Sequence, residues 1–379
     1  MKNRVLILGA GFGGLELATI LSEALADEID VTIIDKGDGF VFGYSKLDVM
    51  FRGAAPESVR LPYEEFVKPG VRLLRETITA IDPEAKRVIT DAGTHEADAL
   101  VVALGADYDL AGTPGLAESG DEFYSFEGAL RMRDAIRGFT KGRVVLGVCG
   151  APFKCPPAPS ECVLMLHDEF LQRGVRGDCE ITLVLPFGRP VPPSPETSAA
   201  LITAFEERDI RLIPSSKVSA LDLDRRVVVL DDDSELRYDL FLGVPKHRAP
   251  EVVVESGLSV DGYVPVDSAT LETRIPGVYA IGDVATQGTP KAGVFAEGAA
   301  RALGQSLIAH LRGVGPEGVH AGTGSCYIEF GAGRIGRVDI DFLSGPSPTG
   351  TYHAPSVDLR ADKQYFGSSR RARWFGRTS

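Results

Sequence analysis

Tryptophan occurs once, methionine four times and histidine six times in 379 residues, and the five cysteines follow no regular spacing. An odd, irregular set of cysteines argues against a secreted disulfide framework and for a cytosolic chain in which one or two cysteines do redox work. The histidines, His95, His167, His247, His310, His320 and His353, are dispersed, so no metal-ligand spacing arises and no metal is expected. Nowhere is there the run of roughly 18 apolar residues that a membrane-crossing helix needs. The start, MKNRVLILGAGFGG, passes from a short basic stretch straight into a strand and a glycine loop, so it does not read as a secretory leader. Basic residues are in deficit: 40 Lys and Arg stand against 53 Asp and Glu, and a net charge of -13 excludes a nucleic-acid partner over most of the surface. A nucleophile elbow and a phosphate-binding P-loop are also missing.

What is present begins with a change of period. Val5-Leu6-Ile7-Leu8 is an apolar run before Gly9; Leu17, Leu21 and Leu25 then recur at helical spacing, and Val31-Thr32-Ile33-Ile34 ends in Asp35. Strand, loop, helix, strand and acid in that order predict a βαβ unit opening a doubly wound sheet. Arg87 to Ala106 predicts a hairpin around Asp91-Ala92-Gly93 and then a buried strand, and Arg226 to Pro245 repeats the plan. Arg143 to Cys149 and Ile181 to Leu185 predict strands, with a helix over Ser160 to Arg173 between them. Gly277 to Asp283, followed by a helix from Phe295 to Leu311, returns to the first unit. The expected fold class is α/β, with two Rossmann-like dinucleotide-binding domains plus a small C-terminal region. Boundaries near Gly112, Pro250 and Gly318 give a discontinuous first domain, 1-112 and 250-318, a second domain, 113-249, and a C-terminal region, 319-379, that alternates like strands from Cys326 onward.

Gly9-Ala10-Gly11-Phe12-Gly13-Gly14 matches GxGxxG, in which the glycines allow a tight turn, close approach of a pyrophosphate and close helix–strand packing. Asp35, with Lys36 beside it, follows about 20 residues on and can accept from ribose hydroxyls. The strand Val144 to Val148 leads instead into Cys149-Gly150-Ala151-Pro152-Phe153-Lys154-Cys155-Pro156-Pro157. Its prolines lack the N–H donors a pyrophosphate needs, and Lys154 would crowd one, so loss of nicotinamide binding is expected there.

The chain resembles the flavoprotein disulfide reductase superfamily with two dinucleotide-binding domains. Val102-Ala103-Leu104-Gly105 is similar to its internal strand-and-glycine motif bordering FAD, and Tyr279-Ala280-Ile281-Gly282-Asp283 to the late strand ending in Gly-Asp that holds the ribityl chain. The resemblance covers most of the chain and implies FAD in the first site. More narrowly, three segments resemble sulfide:quinone oxidoreductases and the flavoprotein subunit of flavocytochrome c sulfide dehydrogenase. PFKCPPAPSE is similar to the loop bearing one redox cysteine, and Ser325-Cys326-Tyr327-Ile328-Glu329 to the C-terminal strand bearing the other. Pro290-Lys291-Ala292-Gly293-Val294-Phe295 is similar to the Pro-Lys-Thr-Gly-Val-Phe segment next to the isoalloxazine, with alanine in place of threonine. The resemblance implies that HS⁻ opens a Cys155–Cys326 disulfide or polysulfide bridge, that electrons pass through FAD to a quinone, and that sulfur leaves as polysulfide. It further implies that Lys291 offsets the charge of reduced flavin and that Glu161 handles protons. A helix starting just after Cys155 would favour its thiolate.

Each of these residues has a plainer reading. Cys155 reads equally as a buried apolar cysteine, Glu161 as a first-turn helix glutamate, Lys291 as a solvated lysine and Asp283 as a helix cap. Cys149, Cys162 and Cys179 read as packing, with a part for Cys149 in the relay left open. Many sulfide:quinone enzymes carry a third redox cysteine earlier in the second domain, but Gly115 to Arg143 contains none. Phe330 and Phe342 are candidates to line a quinone exit. The tail Arg370-Arg371-Ala372-Arg373-Trp374-Phe375-Gly376-Arg377 reads either as a segment for an anionic bilayer interface or as a solvated terminus. The expected partners are therefore sulfide and a quinone, in the cytoplasm, with peripheral membrane contact and a homo-oligomer left open. Three alternatives stand beside this reading: a sulfide dehydrogenase reducing a cytochrome c, an NAD(P)H-dependent quinone or disulfide reductase, and a low-turnover flavin redox sensor.

Overall fold

The N-terminal apolar run becomes β1 (Asn3–Leu8), its last four residues buried. In the computed structural model, which describes residues 2–315 and 318–377, it leads through the glycine loop into α1 (Phe12–Leu25) and β2 (Ile29–Asp35). β3 (Val71–Arg75) and β4 (Ala99–Val102) follow. A second run contains β5 (Gly142–Val148), α2 (Ala158–Gln172), β6 (Cys179–Val184), β7 (Ile210–Ile213) and β8 (Leu240–Val244). The chain then adds β9 (Val278–Ala280) and α3 (Gly293–Leu311), and ends in β10 (Thr323–Glu329), β11 (Ile335–Asp341), β12 (Thr349–Ser356) and α4 (Leu359–Phe375).

Two parallel sheets result, ordered β9-β4-β1-β2-β3 and β7-β6-β5-β8. Their central strands are largely apolar and buried, as at Val144 to Val148 and Leu240 to Val244, as expected where helices cover both faces. The edge strand β9 joins the first sheet from far along the chain, pairing Val278 with Leu100 and Ala280 with Val102. Both predicted hairpins are present, Arg87–Thr90 with Thr94–Glu96 and Val227–Leu230 with Glu235–Arg237, and each gains a third antiparallel strand. The chain end forms a separate antiparallel sheet, β10-β11-β12, that sets Cys326 opposite Val338. Among the described residues no helix is long and apolar enough to cross a membrane.

The tail departs from both of its readings. It is the end of α4, and Trp374 is 1% and Phe375 7% exposed, packed in the apolar core under the first sheet. Arg370 and Arg373 pair with Glu297 and Glu16, and Arg377 with Glu65. Neither aromatic is free to enter a bilayer, and Arg370 and Arg373 are not simply solvated, because buried carboxylates on α3 and α1 claim them.

Candidate active site

The glycine loop forms one end of a cavity of about 460 Å³, and Cys155, Glu161 and Cys326 line the same cavity. At the loop, Gly9 has φ +101° and a side chain there would meet the Ala103 carbonyl oxygen at 2.5 Å, so only glycine fits the turn. Gly11, by contrast, faces open space, and as the N-cap of α1 it brings no side chain to the first free N–H groups. That is an open cradle for a pyrophosphate. Ala10 and Gly14 stand behind the wall, where the Ala10 carbonyl accepts from Tyr63 Oη at 2.9 Å and Gly14 lets α1 approach Gly9.

Asp35 accepts from Ala10 N at 2.8 Å and from Gly37 N at 2.7 Å, and it lines the cavity. Its carboxylate thus fixes the loop as well as facing a ligand. Lys36 is exposed and is not part of the lining, because strand alternation turns it away from Asp35. Ala103, Leu104, Gly105, Gly282, Ala292 and Gly293 complete the wall. Asp283 lines it too, and its Oδ1 is buried without a partner. Burial pushes this carboxyl up, against the pull of Lys154 and Lys291. A buried acceptor without a donor is costly, and a hydroxyl-bearing cofactor chain would satisfy it. The open cradle, the Asp35 edge and the orphaned Asp283 oxygen fit FAD.

The sulfur end is assembled from two distant segments. Cys155 sits in the left-handed region with φ +50°, its N–H donating to the Lys291 carbonyl at 2.7 Å and its own carbonyl accepting from Ala158 N at 2.9 Å. Cys326 is carried by β10, and both cysteines are free thiols. Glu161, close enough to act on both sulfurs, is 2% exposed and accepts from Glu329 N at 3.0 Å. Burial raises the Glu161 carboxyl to about 7, with Lys363 opposing and Glu329 adding to the shift. Burial works against the Glu329 charge as well, but Lys363 at 2.6 Å and Arg52 at 2.7 Å outweigh it and hold that carboxyl below its ordinary value.

The expectation of a thiolate at Cys155 is overturned. Cys155 is exposed where it lines the cavity, yet the protein around the sulfur, and next Glu161, push its thiol well up. Cys326 is raised to about 12 by burial, Glu161 and Asp339. The helix end does not offset this, since α2 begins only at Ala158 and carries Glu161 in its first turn. The surroundings thus disfavour the thiolate at both sulfurs, and Glu161 is the nearby group that can take a proton near neutrality.

Lys291 also departs from its expected role. Its ammonium donates to the Asp283 carbonyl at 2.7 Å, lies 3.5 Å from the centre of the Tyr263 ring and is absent from the cavity wall. Two carbonyls and an aromatic face draw the side chain away, and burial lowers it to about 8. Among the cations at the wall is Lys154, held to the Ala106 carbonyl at 2.7 Å and 4.3 Å over Tyr108. Lys46 and Lys363 line the cavity as well, as do Tyr44 and Phe366. For the three lysines the only signal in the sequence was Lys154 abutting Cys155. Phe330 and Phe342 do not line it: Phe330 is 2% exposed in a core, and Phe342 packs edge-on against Phe295 at 5.5 Å. Cys149 is fully buried in a separate apolar cluster with Val145 and Phe241, so it has no access to the relay. Cys162 and Cys179 are buried likewise. Among the described residues no group of acids, histidines and cysteines could hold a metal ion.

Comparisons with known proteins bear on the family and the fold. The sequence profile of a family described as pyridine nucleotide-disulphide oxidoreductase matches residues 3–300. The mitochondrial sulfide:quinone oxidoreductase of Mus musculus is 24% identical over 363 residues, covering 91% of this chain and 79% of that protein. A type II NADH:quinone oxidoreductase of Staphylococcus saprophyticus is 35% identical over 139 residues, 36% of this chain and 34% of that protein. Among solved structures, the sulfide:quinone oxidoreductase from Aquifex aeolicus shares the fold, with a TM-score of 0.85 at 21% identity over 98% of this chain and 91% of that one. The fold is thus the expected α/β one, the cofactor is FAD and the protein is an oxidoreductase. With 3–300 matched end to end, the chain belongs to the pyridine nucleotide-disulphide oxidoreductase family.

Proposed function

We propose that this chain oxidises sulfide to polysulfide or sulfur and passes the electrons to a quinone, with Cys155 and Cys326 as its sulfur relay. The observation that carries the reading is that two cysteines from distant segments line one cavity with a buried carboxyl that titrates near 7. The names of the relatives in mouse and Aquifex aeolicus supply the substrate pair.

In this reading hydrosulfide attacks one sulfur of the oxidised pair. The S–S bond breaks, leaving a persulfide on one cysteine and a thiolate on the other. A second hydrosulfide carries the outer sulfur away as HSS⁻, the first polysulfide, leaving a thiol; Glu161 gives the thiolate its proton and takes one back when the two thiols are oxidised to the S–S pair again, a task suited to a carboxyl poised near neutrality. Lys363 and Arg52 keep Glu329 charged, so its backbone N–H stays fixed on Glu161 Oε1 and orients the carboxyl. FAD, when bound, supplies the two-electron acceptor between the sulfur pair and the quinone. Asp35, Asp283 and the glycine loop hold the cofactor, and Lys154 places a positive charge on the wall it faces.

The test is anaerobic rapid mixing of the yellow holoprotein with sulfide, then with a soluble quinone. Flavin bleaching by sulfide and recovery on quinone are expected. A flavin that ignores sulfide but is bleached by NADH would overturn the reading in favour of an NADH-dependent reductase.

A further inference from the structure

Trp374 meets the glycine loop through an aromatic cluster. Its ring lies 5.6 Å from Phe12 and 5.4 Å from Phe40, both edge-on, and 6.5 Å from Phe42 in a stacked arrangement. Phe12 belongs to the loop itself, and Phe12 and Phe40 line the cofactor cavity. The position of Phe12 is further constrained by Gly293, where any side chain would strike its ring at 2.5 Å. The wall behind the pyrophosphate cradle is therefore completed by a residue near the end of the chain.

Two buried carboxylates hold that residue in place. Glu16, one turn after Phe12 on α1, is 1% exposed and accepts from Trp374 Nε1 and Arg373 Nε at 2.8 Å each and from Arg301 Nε at 3.2 Å. Glu297, on α3 and 2% exposed, accepts from Arg370 Nε at 2.9 Å and from Arg301. Without α4, both carboxylates would have to share Arg301, and the Phe12, Phe40 and Phe42 rings would lose their cover. A buried carboxylate short of partners is strongly unfavourable, so the docked helix and the shaped loop stand or fall together.

We infer that Trp374, Glu16 and Glu297 form a latch through which the terminal helix holds the glycine loop in its cofactor-binding shape and so sets how tightly FAD is retained. Trp374 acts here as a positioning residue, through Phe12 and Phe40. The latch is independent of which substrate reduces the flavin.

Flavin release from the purified holoprotein, followed by the rise of free-FAD fluorescence after dilution, reads the latch directly. Trp374→Ala should release FAD on the order of tenfold faster, within the usual range for coupled sites. Tyr365→Ala, on the same helix but 71% exposed, should leave release unchanged. Equal release rates from a folded Trp374→Ala protein and the wild type would overturn the inference. Should that variant fail to fold, hydrogen exchange on the wild type serves instead. Coupling is reciprocal, so removing FAD must speed exchange across residues 359–375 relative to the helix Pro195–Glu206, which does not line the cavity; identical exchange with and without FAD would refute the latch.

Discussion

Replacing Glu161 by glutamine gives a stability change whose sign depends on pH. The Glu161 carboxyl moves from 4.5 to about 7, with burial as the main cause. At about 1.4 kcal/mol per pH unit, the site disfavours the charged form by roughly 3 kcal/mol. Between those two values the folded protein keeps a proton that the unfolded chain has released. Stability therefore falls as pH rises through this window and is level above it. Glutamine keeps an oxygen to accept from Glu329 N but cannot ionise, so Glu161→Gln removes the fall. Urea denaturation of the FAD-saturated proteins at about pH 5.5 and about pH 8.5 should find the variant more stable than wild type by up to about 3 kcal/mol at the higher pH, and by only about 1.4 kcal/mol at the lower, one pH unit into the window. Sulfide-dependent flavin reduction by the variant should drop on the order of 10²–10⁴-fold. Parallel stability–pH curves for the two proteins, or a variant less stable above neutrality, would refute the assignment of a titrating carboxyl to this site.

Cys155→Ser and Cys326→Ser should each abolish rapid flavin reduction by sulfide while leaving bound FAD unchanged in amount; rapid reduction retained in either variant would remove that cysteine from the relay. Lys154→Met should lower the two-electron midpoint potential of the flavin by on the order of 30 mV, measured by dye equilibration, because its charge faces the cavity. Lys291→Met should shift the potential less, yet cost about 1–3 kcal/mol in denaturant unfolding, since two carbonyls lose a buried donor. The reverse order of potentials would restore Lys291 as the flavin-facing cation.

The glycine loop was legible because much of its demand is local: Gly9 turns at a positive φ, Gly14 packs against the Gly9 carbonyl, and Asp35 follows one helix later, whereas the Ala103 carbonyl that crowds Gly9 comes from far along the chain. The strands were legible for the same reason, since period and burial travel together along a short segment. The cysteine motifs could be read singly, but that Cys155 and Cys326 line one cavity depends on β10 packing beside α2, which no local pattern carries. The direction of Lys291 was lost because its partners are carbonyls, invisible in side-chain chemistry. The protonation of Cys155 was misjudged because a helix-end rule was applied without the acid that the same helix end brings. In the tail, Arg373 finds Glu16 across 357 residues, so its neighbours in sequence suggested a surface when its partners in space make a core.

The edge strand β9 has a consequence for the order in which the molecule can be made. On a ribosome the strands β1 to β4 emerge first, but β4 stays an unpaired edge until Val278–Ala280 has been synthesised. The second sheet, drawn wholly from residues between Gly142 and Val244, can close in that interval as a contiguous block. The nascent N-terminal segment must meanwhile carry an open apolar edge, the feature on which chains aggregate and chaperones act. A pause or truncation before β9 should therefore yield a folded middle with an insoluble beginning.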